Sequence, residues 1–139
     1  MFNRLALIGC GLMGGSLALA MQRACLVRHV VAYSPSESTL QAALQAGVIH
    51  EAAHSPADAA AHADLVVVAV PVAATETVLR SIADSLSAQT IVMDVGSTKQ
   101  NVIEAAEATL GALAGQFVPA HPIAGKEVAG IAHADPDLY

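Results

Sequence analysis

The sequence predicts an α/β protein: a doubly wound, mainly parallel sheet with helices on both faces. Three observations carry this. Short apolar runs rich in Val, Ile and Leu alternate with longer stretches of helical composition. A glycine-rich turn, GCGLMG at Gly9–Gly14, lies between the first apolar run and the first helix-like stretch. Two Ser-headed segments, SPSE from Ser34 and STKQ from Ser97, read as capping boxes. Strands that alternate with helices pair in parallel through right-handed crossovers. The expected architecture is therefore of the Rossmann type.

The elements follow in order. Leu5–Ile8 is the first strand and Met13–Ala24 the first helix. Val30–Tyr33 is the second strand. Ser34 is then expected at N-cap, Pro35 at N1 and Glu37 at N3 of a helix running to Ala46, where Gly47 stops it. Val48–His50 is a short third strand. The Ala-rich stretch Pro56–Ala63 is a short helix, and the β-branched Leu65–Val70 a buried strand. Thr75–Ser85 is a helix and Thr90–Asp94 a strand. Ser97 should cap a helix reaching Leu113. Gln116–Ala120 is the last strand, and it delivers the chain to His121.

Composition bounds the function. The 139 residues suit one domain, read here as a single nucleotide-binding unit over 1–139, and 55% of them are hydrophobic. Twelve acidic against six basic residues give a formal charge of −6. That balance excludes a general nucleic-acid or acidic-membrane binder. Aromatics at 3% give no surface for stacking bases. Cys10 and Cys25 make neither a disulfide framework nor a zinc site, and no metal is expected. The start of the chain imitates a signal peptide, but glycines and Ser16 break its apolar run. Elsewhere the longest run, Leu65 to Ala74, is about half the ~20 residues that span a bilayer. A cytoplasmic protein is expected. The chain ends on Asp137-Leu138-Tyr139 without a helix cap or polar tail, and is expected to continue in a longer protein.

The glycine turn fits G-x-G-x-x-G in the context that gives the pattern meaning, after a strand and opening a helix. Gly9 makes the tight turn, Gly11 lets the backbone approach a pyrophosphate, and Gly14 lets helix and strand pack closely. The helix N-terminus, at Leu12 and Met13, offers unpaired N–H groups and partial positive charge to the phosphates. At the end of the second strand a carboxylate would bind the ribose 2′-hydroxyl of NAD. Ser34 stands there instead. The hydroxyls of Ser34 and Ser36 could donate to a 2′-phosphate, although no Arg follows to pair with it. NADP is slightly favoured over NAD.

Ligands of open α/β sheets bind beyond the carboxyl ends of the strands. Four unusual segments fall there: Gly9–Gly14, VPVAATE from Val70 and Pro71, DVGSTK from Asp94, and HPIAGKE from His121. His121 becomes a candidate proton acceptor beside a nicotinamide, since oxidising C–OH to C=O releases the hydroxyl proton. Ser97 is either a helix cap or a hydroxyl that orients the His and the nicotinamide. Lys99 and Lys126 are candidates to hold a substrate carboxylate, or are solvated. Glu127 orients the polar network or faces water. His29, His50, His54, His62 and His133 read as surface residues.

IGCGLMGGSLA, DVGSTK and HPIAGKE followed by Gly130 together resemble the prephenate and arogenate (cyclohexadienyl) dehydrogenases of tyrosine biosynthesis. The resemblance spans nearly the whole chain. It implies NAD(P)-dependent oxidative decarboxylation of prephenate or arogenate. It makes His121 the catalytic base, Ser97 its partner toward the cofactor, and Glu127 an acidic residue near the His. It implies a helical C-terminal domain that forms a homodimer and supplies an Arg to the substrate carboxylate, neither of which lies in these residues. Lys126 stands where the family frequently has Thr or a small residue. Two other readings share the glycine turn: a hydroxyacid or pyrroline-carboxylate type reductase, and a non-catalytic NAD(P)-sensing module.

Overall fold

The computed structural model describes residues Met1–Tyr139. Six strands form one parallel sheet: β1 (Phe2–Ile8), β2 (Val27–Tyr33), β3 (Glu51–Ala52), β4 (Leu65–Val68), β5 (Ile91–Asp94) and β6 (Phe117–Val118). Their order across the sheet is β3-β2-β1-β4-β5-β6. Five helices connect them: α1 (Leu12–Arg23), α2 (Glu37–Gln45), α3 (Pro56–Ala60), α4 (Val72–Ile82) and α5 (Lys99–Leu110). The order reverses between β1 and β4, so the crevice at their carboxyl ends is the switch point where such sheets take ligands.

Strand periodicity divides the core in two. Leu5, Leu7, Val30, Ala32, Leu65 and Val67 face one side, with Ala18 and Met21 of α1 and Leu40 and Ala43 of α2. Ala6, Ile8, Val31, Val66, Val68 and Val92 face the other, with residues of α3, α4 and α5. Neighbours along a strand point to opposite faces. That is why β4, LVVV, is buried on all four residues and shows no polar alternation.

Local chemistry moved several boundaries. The cap of α2 is Ser36, not Ser34: Ser36 Oγ accepts from the Thr39 N–H at 3.3 Å. Ser34 Oγ is spent one step earlier, accepting the Ser36 N–H at 3.2 Å in a hydroxyl turn. At α5 the cap is Thr98, without a side-chain bond, so the expected capping box headed by Ser97 does not form. Ser55 caps α3 by accepting the Asp58 N–H, while the Asp58 carboxylate accepts the His54 N–H, each at 3.0 Å.

The third strand lies after Val48–His50, at Glu51–Ala52. Val48 and Ile49 are core residues that dock the end of α2. His50 Nδ1 accepts the Val30 N–H at 3.0 Å, where a main-chain carbonyl would continue the ladder. α4 begins at Val72, directly after Pro71, rather than at Thr75. β4 and β6 are shorter than expected, and 3-10 turns at Ala83–Ser85 and Gly111–Gln116 replace the ends expected for α4 and α5. No helix is long and apolar enough to cross a membrane.

From Gly130 the chain turns back across α1. Gly130 has φ +94°, and Ile131 is buried in the core on the α1–α2 face. The Asp135 N–H donates to Ser16 Oγ at 2.9 Å, and Tyr139 Oη donates to the Met13 carbonyl at 3.1 Å. Lys126 pairs with Asp135 and Arg23 with Asp137. Residues 130–139 thus form a strap over the helix that the glycine turn begins.

Candidate nucleotide cleft and its rim

The glycine turn is built by contact. Gly9 has φ +97°, and a Cβ there would lie 2.4 Å from the Ala69 carbonyl oxygen, in the turn after β4. A Cβ on Gly14 would lie 2.6 Å from the Gly9 carbonyl oxygen and 2.8 Å from Leu7 Cδ1. These two glycines let β1, β4 and α1 converge. Gly11 differs: a Cβ there meets no protein atom within 4 Å. It borders open space instead, which suits the close approach of a phosphate.

That space is a cleft with two lobes. One lobe, of about 430 Å³, is lined by Gly9, Cys10, Gly11, Ser34, Val70 and Ile131, among others. The second, of about 460 Å³, includes Leu12, Met13, Val95, Gly96 and Lys126. Gly11, Ala69, Val70, Pro71 and Gly130 line both. The N–H groups of Leu12 and Met13 have no partner within the protein, as the first turn of a helix dictates. No acidic residue occupies that turn, so the positive end of α1 is uncompensated beside the cleft. Backbone amides, an open position at Gly11 and an apolar lobe beyond β1 fit a dinucleotide.

The expected residues separate into groups. Gly9, Gly11, Leu12, Met13, Ser34, Val70, Pro71 and Lys126 line the cleft. Gly14 packs behind it, and Ser36 caps α2 and lines neither lobe. Ser97, His121 and Glu127 are exposed on the rim segments and line neither lobe. Cys10 is buried in the turn, and burial pushes its thiol up to about 11.

Lys99 is not free for a substrate. Its ammonium donates both to Asp94 Oδ2 and to the Ala120 carbonyl, each at 2.5 Å. Asp94, the last residue of β5, is 1% exposed. Its Oδ2 also accepts the Gly96 N–H at 2.8 Å, and its Oδ1 accepts the Ala120 N–H at 3.1 Å. One buried carboxylate therefore ties the loop that carries Ser97 to the residue before His121.

With this geometry, residues 17–139 match the sequence family described as prephenate dehydrogenase, nucleotide-binding domain. The chain belongs to the prephenate dehydrogenase family. The prephenate dehydrogenase of Bacillus subtilis is 36% identical over 140 residues, covering all of this chain and 38% of that protein. The cyclohexadienyl dehydrogenase of Zymomonas mobilis is 35% identical over 126 residues, 91% of this chain and 42% of its own length. A crystal structure of prephenate dehydrogenase from Aquifex aeolicus, in complex with hydroxyphenyl propionate and NAD+, superposes with a TM-score of 0.91 at 28% identity. It is matched by all of this chain, which covers 48% of it. Synechocystis arogenate dehydrogenase gives a TM-score of 0.86 at 26% identity, with coverage of 98% and 46%. The chain thus spans less than half the length of these members of the prephenate dehydrogenase family.

The residue that sequence reading missed is Asp94. A single acid at the end of a strand reads as a turn former. The signal was the Lys five positions on, which such a buried acid needs as a partner.

Proposed function

We propose that the protein containing this chain carries out the NAD(P)-dependent oxidative decarboxylation of prephenate, arogenate or both, in tyrosine biosynthesis. What supports the reading most is the cleft at the β1/β4 switch point, with the Ser97 and His121 segments cross-tied on one side of it. The residues fit the dinucleotide as follows. The amides of Leu12 and Met13 and the open face of Gly11 receive the pyrophosphate. Ser34 meets the adenosine ribose. With no carboxylate there to repel a 2′-phosphate, NADP is slightly favoured over NAD.

When bound, the nicotinamide supplies the acceptor for the hydride that leaves the substrate's hydroxyl-bearing carbon. His121 takes the hydroxyl proton onto an imidazole nitrogen as the carbonyl forms. The bond to the ring carboxylate then breaks and CO₂ departs. The electron pair enters the ring, which becomes an aromatic phenolate and takes the proton back from His121. Ser97 holds the His against the nicotinamide. Glu127 and Lys126 lie toward the substrate. In this reading a homodimer forms through a helical domain beyond these residues, and that domain completes the substrate site.

The test uses the full-length protein. Prephenate and arogenate are each offered with NAD⁺ and with NADP⁺, and the absorbance of reduced nicotinamide is followed. Turnover in at least one combination, lost by about 10³-fold or more in His121→Asn, is the expected result. Cofactor binding without turnover in all four would overturn it and favour a nucleotide-sensing module.

A further inference from the structure

We infer that Asp94 and Lys99 are positioning residues for the reaction proposed above: together they fix the main chain of Ala120, and through it His121, against the Ser97 loop.

The need for such a device follows from the strand lengths. β6 has two residues, paired to β5 only through Val92–Phe117 and Met93–Val118. Past Val118 no ladder holds the chain. From His121 to Ala129 no main-chain group forms a hydrogen bond with another main-chain group. His121 therefore extends from a rim whose last fixed point is Ala120.

Both main-chain groups of Ala120 are held there, and by two different side chains. Asp94 Oδ1 takes its N–H and the Lys99 ammonium its carbonyl. The two side chains are joined through Asp94 Oδ2, which also holds the Gly96 N–H. Gly96 lines the second lobe of the cleft and adjoins Ser97. One carboxylate thus sets the Ser97 loop and the His121 segment by the same bonds. A buried carboxylate is costly unless paired and hydrogen-bonded. Here it makes three bonds, and they converge on the two rim segments instead of serving a helix or strand interior. Displacement of a catalytic group by about 1 Å can cost on the order of 10²-fold in rate.

The experiment compares the full-length protein with Asp94→Asn and Lys99→Arg. Asn keeps the size of Asp94, but its NH₂ cannot accept: it denies an acceptor either to the Lys99 ammonium and the Gly96 N–H or, turned the other way, to the Ala120 N–H. In Asp94→Asn, kcat should fall about 30- to 100-fold. KM for the ring substrate and Kd for the cofactor should stay within about threefold, and the acid limb of the pH–rate profile should not move. The Ala120 amide should exchange at least about tenfold faster, while Ala6 in the sheet keeps its protection. Lys99→Arg, which keeps a cation able to reach the Ala120 carbonyl, should retain about a third or more of kcat. The inference is overturned if Asp94→Asn keeps kcat within about threefold, or if kcat and cofactor affinity fall together. It is equally overturned if the Ala120 amide is no faster. Should the wild-type protein turn over no substrate, the proposed function fails, and amide exchange at Ala120 still decides whether the tether exists.

Discussion

Gly15 of α1 and Ile131 of the returning strap occupy one another's space: a Cβ on Gly15 would lie 2.4 Å from Ile131 Cδ1. Ala134 Cβ would be 3.2 Å away. The helix lacks a side chain there so that the strap can seat. Ile131 and Gly130 are also walls of the cleft. The packing of the strap on α1 and the shape of the candidate cleft are therefore set by the same contact.

Gly15→Val should push Ile131 from its seat. A loss of about 1–3 kcal/mol in unfolding free energy is expected, the usual cost of overpacking. Cofactor affinity should fall with it. Ser16→Ala, which removes the acceptor for the Asp135 N–H inside the protein, should cost about 1 kcal/mol. Denaturant titration and cofactor titration of each variant check both. Unchanged cofactor affinity in Gly15→Val would show that the strap wall does not matter to the ligand.

The three glycines of the turn should fail in different ways. Gly9→Ala places a Cβ against backbone at positive φ, and Gly14→Ala against the Gly9 carbonyl and Leu7. Both should lose about 2 kcal/mol or more of stability. Gly11→Ala meets no protein atom. Its stability should drop by only about 0.5 kcal/mol, the loss of a favourable N-cap residue, while cofactor Kd rises about tenfold or more. Thermal melts beside isothermal titration separate these outcomes. Equal affinity for Gly11→Ala and wild type would place the pyrophosphate elsewhere.

The two thiols should react very differently. Cys10 is buried, and its thiol is pushed up to about 11, so thiolate is scarce at pH 8. Cys25 is exposed at the turn after α1. Iodoacetamide at pH 8 should give one adduct, on Cys25, with Cys10 modified only after denaturation. Peptide mass spectrometry reads this directly, and early labelling of Cys10 would mean that the glycine turn opens in the native state.

Acid should loosen the strap only at low pH. The Lys126 ammonium holds Asp135 below the ordinary carboxylate value of 3.8, helped by the Asp137 N–H. Arg23 does the same for Asp137. A carboxylate whose folded value is depressed stabilises above its unfolded value, and that contribution is lost as pH falls through the folded one. Amide resonances of residues 135–139 should thus hold their positions from pH 7 to about 4 and move below that. Release of the strap between pH 7 and 5 would contradict the pairing.

Much of this was legible in the sequence. Five of the six strands follow from apolar runs too short for helices. The glycine turn could be trusted because a strand precedes it and a helix follows. Legibility failed where a side chain took over a main-chain role. His50 replaces a backbone acceptor for Val30, which displaces β3 by a few residues. Ser34 is consumed in a turn, which passes the cap to Ser36. The rim failed for a related reason. Ser97 and His121 stand out by residue type, yet it is their neighbours Gly96 and Ala120 that bond to Asp94 and Lys99, and nothing in local spacing says that Ala120 lies above β5. The strap was wholly illegible, because the pairing of Gly15 with Ile131 joins positions more than a hundred residues apart.

That separation has a consequence for synthesis on the ribosome. Domains form as the chain emerges, N-terminal parts first. The glycine turn is among the earliest segments to appear, whereas Gly130 and Ile131, which close one side of the candidate cleft, are among the latest in these 139 residues. A chain that has emerged to just past β6 holds every strand of the sheet but a cleft missing one wall. Nucleotide retention should consequently begin only once Gly130 and Ile131 have cleared the ribosome, after the strands themselves have emerged.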